Sequence, residues 1–120
     1  MPTTREPLGE EPKRALQRLM AAIEHFRSIR HTMPLQYVHT FLLVARNEGL
    51  SLREYAEQAG VANSVMSRHL QDIGDRNRAM EPGFGLVTYR PHPMELRKHE
   101  YFLTPVGKAL AHKIARTMER

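Results

Sequence analysis

The side chains best suited to hydrogen-bond chemistry fall in one short stretch. Asn63, Ser64, Ser67 and Arg68 lie in the run N-S-V-M-S-R-H-L-Q-D-I, whose apolar residues recur at helical spacing. An asparagine amide matches the edge of adenine, and an arginine matches guanine or a phosphate. Hydroxyls mostly hold phosphate oxygens and position the chain. The plainer reading makes Asn63 a helix cap and Ser67 a solvated residue. Arg53, with the backbone N–H groups around Ser51, suits a phosphate at a helix start, but it equally suits an i, i+4 pair with Glu57. Arg97 and Lys98 follow a proline-rich segment and suit a duplex backbone or minor groove; a solvated hairpin edge is the alternative. Arg76 and Arg78 read as surface charge as readily as contacts.

Other chemistries find little support. Seven histidines show no HxxxH or HExxH spacing, and there is no cysteine to join them. The missing thiols exclude a disulfide framework, a thiolate metal site and a redox sensor. No glycine-rich phosphate loop, GxSxG elbow or carboxylate pair stands out, so neither an enzyme, a metal nor a cofactor is expected. The net charge of +5 points to a polyanionic partner, of which nucleic acid is the commonest. No run reaches the ~18 apolar residues of a membrane span. With no apolar signal core at the N-terminus either, a cytoplasmic protein is expected.

The elements that must position these groups follow from periodicity and punctuation. Residues 1–11 are polar, with Pro2, Pro7 and Gly9, and read as a disordered tail; 12–120 reads as one domain. Pro12 opens a first helix with Leu16, Leu19, Met20, Ile23 and Phe26 on one stripe, ending near Arg30. His31-Thr32-Met33-Pro34 breaks it, and Pro34 can start a second helix, apolar on most sides, that runs to about Asn47. Leu50 suits a strand of one or two residues. Ser51 and Glu54 form a capping box. Leu52, Tyr55, Ala56 and Ala59 share one face, Gly60 sits where a positive φ is wanted, and Val61 is expected as a buried plug. A second short helix starts near Asn63, with Val65 or Met66, His69 or Leu70, and Ile73 inward. This is a helix-turn-helix pattern; an ordinary helical hairpin is the competing reading.

Residues 74–85, with three glycines and a proline, form a loop, and Arg76, Arg78 and Met80 extend the preceding helix at most by a turn. Leu86–Arg90 and His99–Leu103 are β-type runs around a tip holding Pro91 and Pro93, which guard an exposed ribbon against edge pairing. Thr104-Pro105 starts a last helix with Val106, Leu110, Ile114 and Met118 at i, i+4 spacing. The class is mainly α (α+β): a winged helix-turn-helix with a β-hairpin wing and flanking terminal helices. The stripes of those two helices either pack within one chain or pair between two.

With E-G-L-S-L-R-E-Y-A-E-Q-A-G-V, S-V-M-S-R-H-L, G-L-V, a proline-containing wing and L-T-P-V-G-K-A-L in this order, the sequence resembles the multiple-antibiotic-resistance regulator (MarR) family from roughly Leu35 to Ala115. The resemblance implies a dimeric winged-helix regulator that binds pseudo-palindromic double-stranded DNA. Ser51, Arg53, Asn63, Ser64, Ser67, Arg68, Arg97 and Lys98 are then the expected DNA-contacting residues. The family's wing usually reads Asp-Pro-x-Asp-Arg-Arg; here it is His92-Pro93-Met94-Glu95-Leu96-Arg97, without the first arginine. The loop at 74–85 is longer than usual. A single C-terminal helix stands where the family often has a longer dimerisation arm, which leaves a small-molecule effector open. Ala62 occupies the position that usually caps the recognition helix, so the cap is expected to pass to Asn63. The rival readings are a winged-helix protein-interaction module and a DNA-binding protein of plasmid or phage maintenance.

Overall fold

The computed structural model describes residues 6–75 and 82–119. Its elements are α1 (Glu10–Arg27), α2 (Leu35–Arg46), α3 (Leu52–Ala59), α4 (Asn63–Ile73), β1 (Val87–Pro91), β2 (His99–Leu103) and α5 (Pro105–Glu119). α1 starts two residues before the expected Pro12, because Glu10 and Glu11 favour the positive end of a helix dipole. Pro34 is the N-cap of α2 rather than its first helical residue. The expected extension of α4 through Arg76, Arg78 and Met80 lies outside the described residues.

Local signals set the helix-turn-helix. Ser51 accepts from the Glu54 N–H, and Glu54 reaches back to the Ser51 N–H, so the capping box is complete. α3 ends at Gly60 with φ +70°. The Gly60 N–H donates to the Glu57 carbonyl and the Val61 N–H to the Ala56 carbonyl, which is a Schellman closure. Val61 is not the expected plug. It stays 36% exposed, since the closure turns the chain outward at the corner. Met66, Leu70 and Ile73 of α4 are buried against α2 and α3.

The core is shared by every element. Phe41 and Val44 from α2, Tyr55 and Ala56 from α3 and Met66 from α4 meet Leu86, Val87 and Leu103 of the hairpin and Leu110 of α5. Phe26 closes it from α1, edge-on to Phe41 at 5.7 Å. The strands pair antiparallel, with Tyr89 opposite Tyr101 and Pro91 opposite His99. The expected brief pairing of Leu50 is present as backbone bonds: Tyr101 accepts from the Gly49 N–H at 2.7 Å and donates to the Leu50 carbonyl at 3.0 Å. Glu48 Oε1 accepts from the Leu103 N–H at 2.7 Å, replacing the strand partner that the short segment lacks.

Helices α1 and α5 pack on each other within the chain. His25 Nε2 meets Thr117 Oγ1 at 2.9 Å. The threonine hydroxyl donates to the Lys113 carbonyl, so the imidazole N–H donates to it. This contact does not consume both stripes. Of the expected α1 residues only Phe26 is buried; Leu16, Leu19, Met20 and Ile23 remain 42–61% exposed. On α5 Leu110 is buried, whereas Val106 and Met118 are exposed. No helix among the described residues is long and apolar enough to cross a membrane.

The string L-T-P-V-G-K-A-L has a physical meaning here. Thr104 Oγ1 accepts from the Gly107 N–H and donates to the Gly85 carbonyl, so one hydroxyl caps α5 and ties it to the chain before β1. A Cβ on Gly107 would lie 2.1 Å from the Leu86 carbonyl oxygen. Alanine in place of a helical glycine ordinarily adds about 1 kcal/mol of stability. Against a backbone atom that cannot retreat, the clash wins. Gly107→Ala is expected to destabilise by about 1–3 kcal/mol and to lower Tm by at least about 4 °C in a thermal melt. A raised Tm would contradict this packing.

Candidate nucleic-acid interface

Helix α4 presents its outer face because its inner one is fixed. Met66, Leu70 and Ile73 are buried at i, i+4 and i+7. Asn63, Ser64, Arg68 and Gln71 are therefore exposed, with Ser67 half-buried between them. Gln71 donates to Ser67 Oγ at 3.5 Å. Sequence reasoning missed Gln71, although its place seven residues after Ser64 marks the same face, and its amide has the donor–acceptor pair that suits adenine.

Asn63 does not take over the cap. The N-cap of α4 is Ala62, and no side chain caps the helix. The Ala62 carbonyl accepts from Val65 and Met66, which leaves the Asn63 and Ser64 N–H groups directed outward at the positive end of the helix. Such an end favours an anion.

The acidic residue of α4 is turned away from this face. Tyr37 of α2 donates its hydroxyl to Asp72 Oδ2. That hydrogen bond, then burial and the carboxylate charge, pushes the Tyr37 phenol up from its usual 10.0. The Tyr37 ring stands edge-on to His69 at 5.6 Å and to Phe84 at 6.2 Å. Burial pushes the His69 imidazole down from 6.5, against the pull of Asp72 and with the help of Arg68. The helix thus keeps a neutral ring inward and leaves Arg68 as the cation of its outer surface.

A second group forms between α3 and the wing. Ser51, Arg53, Arg97 and Lys98 line one hollow of about 840 Å³ with Leu52, Leu96 and Tyr101. Ser51 itself is buried and its hydroxyl is engaged by Glu54, so its contribution there is the helix start rather than a free hydroxyl. Arg53 Nε donates to Glu57 Oε1 at 3.3 Å, the i, i+4 pair weighed as an alternative. Both side chains are mostly in solvent, and such a pair is worth little against a better partner. Glu54, Glu57 and Glu95 also line the hollow, so its field is mixed.

The wing tip is ordered by a histidine. His92 Nδ1 accepts from the Met94 N–H at 3.0 Å and the Glu95 N–H at 3.2 Å. The His92 N–H donates to the Lys98 carbonyl at 2.6 Å, and the Lys98 N–H to the Glu95 carbonyl at 2.9 Å. A ring nitrogen that accepts twice is the unprotonated one, so the ring carries its hydrogen on Nε2. Below the tip, Arg90 lies 4.0 Å over the Phe102 ring, and Tyr89 stacks on His99 at 4.2 Å. Among the described residues no three histidines, aspartates or glutamates come together as a metal site would require.

No family model matches the chain, and no curated protein matches it. Solved structures do. The chain resembles RV1404 from Mycobacterium tuberculosis with a TM-score of 0.66 at 18% identity, over 98% of its own length and 79% of that protein's. A MepR mutant from S. aureus, bound to an oligodeoxyribonucleotide, gives 0.64 at 15% identity over 88% and 70%. A MarR mutant from E. coli, complexed with operator DNA, gives 0.63 at 13% identity over 88% and 68%. With a helix-turn-helix, a two-stranded wing and packed terminal helices in this order, the chain has the winged-helix fold of MarR transcriptional regulators.

Proposed function

We propose that this chain is a sequence-specific DNA-binding regulator that works as a homodimer. The observation that carries the reading is the outer face of α4: Asn63, Ser64, Arg68 and Gln71 are exposed on a helix with an uncapped start, while Asp72 is held inward by Tyr37. An α-helix of this kind fits the major groove, where amide and guanidinium groups read base edges. Arg53, Arg97 and Lys98 then hold phosphates or the minor-groove edge on either side. The likeness to two regulators solved with DNA supports the same reading. A carboxylate beside Arg68 would favour a protein-interaction surface over DNA, and that support weakens once Asp72 is spent on Tyr37.

The dimer rests on α1. Four large apolar side chains, Leu16, Leu19, Met20 and Ile23, stay in solvent on a helix that already uses Phe26 and Ala22 for its own core. A second copy covers them most economically, because a two-fold pairing uses the same patch twice. Two recognition helices then meet half-sites about one helical turn apart.

Two experiments check these claims. Fluorescence anisotropy on preferred and scrambled duplexes over a salt series is expected to separate helix from wing. Asn63→Ala or Arg68→Ala should cost roughly 1–3 kcal/mol on the preferred duplex and relax preference there. Arg97→Ala or Lys98→Ala should weaken binding on all duplexes and flatten the salt slope by about one unit. Binding that ignores salt would favour the protein-interaction reading. Light scattering should give a dimer for the intact chain and a monomer for Ile23→Glu; a monomeric intact chain at micromolar concentration would refute the dimer.

A further inference from the structure

The apex of the wing is apolar where a solvated hairpin tip is ordinarily polar. Met94 is 86% exposed and Leu96 76%, and the two lie within three residues of each other. Single exposed apolar residues need no explanation. This pair is different because its backbone is fixed. The Met94 and Glu95 N–H groups are held by His92 Nδ1, and the Lys98 N–H and carbonyl are tied back to Glu95 and His92. The entropy of ordering the loop has already been met in the free protein, so what it presents is a preformed shape. Two cations, Arg97 and Lys98, follow directly, and Glu95 is the one acidic group between His92 and Lys98.

We propose that Met94 and Leu96 form a wedge that enters the minor groove and opens a base step. This inference rests on the DNA-binding reading above. Leucine and methionine are among the side chains that part stacked bases in this groove, and the duplex kinks toward the major groove around them. Arg97 and Lys98 supply the attraction that brings the tip to the duplex and outnumber Glu95, the one carboxylate at the apex. Selectivity at this place comes from the cost of unstacking, lowest at TA and CA/TG steps, rather than from hydrogen bonds to base edges. The wing therefore divides its work: the cations give affinity on any duplex, and the apolar apex selects flexible steps.

The test uses a duplex of about 30 base pairs selected from a random pool by the intact protein, with 2-aminopurine placed in turn at each step outside the α4 contacts. The intact protein is expected to brighten the probe several-fold at one step in each half-site. The double variant Met94→Ala with Leu96→Ala should lose that signal and about tenfold or more in affinity on flexible steps, as befits two apolar side chains left in water. Its salt slope should not change. Arg97→Ala should do the reverse, flattening the slope and keeping the brightened step. The swap Met94→Leu with Leu96→Met should restore the signal. Because both residues are exposed, every variant should melt as the intact chain does. Tight binding with no brightened step, or brightening that survives the double alanine variant, overturns the wedge and leaves the DNA-binding reading in place. No binding to any selected duplex overturns both. A change of oligomeric mass in the double variant, with the brightened step retained, would assign the apex to contact between copies instead.

Discussion

The hydroxyl of Tyr55 holds together the corner on which the site is built. The side chain is fully buried. Its O–H donates to the Asn47 carbonyl at 2.6 Å, and its oxygen accepts from the Leu50 N–H at 3.3 Å. It therefore joins the end of α2 to the start of α3 across a turn that has no regular pairing of its own. Its ring meets Tyr101 of β2 edge-on at 6.4 Å. Burial pushes the phenol up to about 12, so the proton that bonds Asn47 stays in place across ordinary pH. One side chain thus sets the angle of α3, the position of the Leu50 segment and the root of the wing.

The two halves of the interface are referred to this corner. Helix α4 is fixed by Met66, Leu70 and Ile73 against α2 and α3, and its rotation is refined by the bond from Tyr37 to Asp72. The wing is fixed through Tyr101 and through Leu103, whose N–H ends on Glu48. At its far end the same strand carries His99, Lys98 and the tied apex. Outer face and wing are thus both tied to the same core.

Much of this frame can be read from the chain, because it depends on residues close in sequence. The Ser51–Glu54 box, the left-handed Gly60 and the Thr104-Pro105 start involve partners within a few positions. Spacing narrows the inward set of α4 to Val65 or Met66, His69 or Leu70, and Ile73, and packing selects Met66 and Leu70. What escaped depends on distant partners. Tyr37 and Asp72 are 35 residues apart, and Glu48 and Leu103 are 55 apart. Val61 looked buried because it follows a helix-ending glycine, yet the closure of that turn needs its N–H and not its side chain. Asn63 looked like a cap because of its type, whereas Ala62 holds the N-cap position and Asn63 is the first helical residue. Arg53 was legible both as a cation and in its i, i+4 pair with Glu57. His92 as a double acceptor has no sequence signal apart from the proline beside it.

We propose that α4 and the wing tip engage one duplex together, the first in the major groove and the second in the minor groove. The chain has no cysteine, so one introduced thiol gives one attachment point for a reagent that cleaves DNA. Ser64→Cys and Glu95→Cys place it on the outer face of α4 and at the wing apex, both at exposed residues. On a selected duplex, the Ser64→Cys conjugate is expected to cut around the centre of each half-site with the strand offset of the major groove. The Glu95→Cys conjugate is expected to cut with the opposite offset, about half a helical turn (~5 base pairs) away. Cuts from both positions at the same place, or weak cutting spread along the whole duplex, would contradict the account.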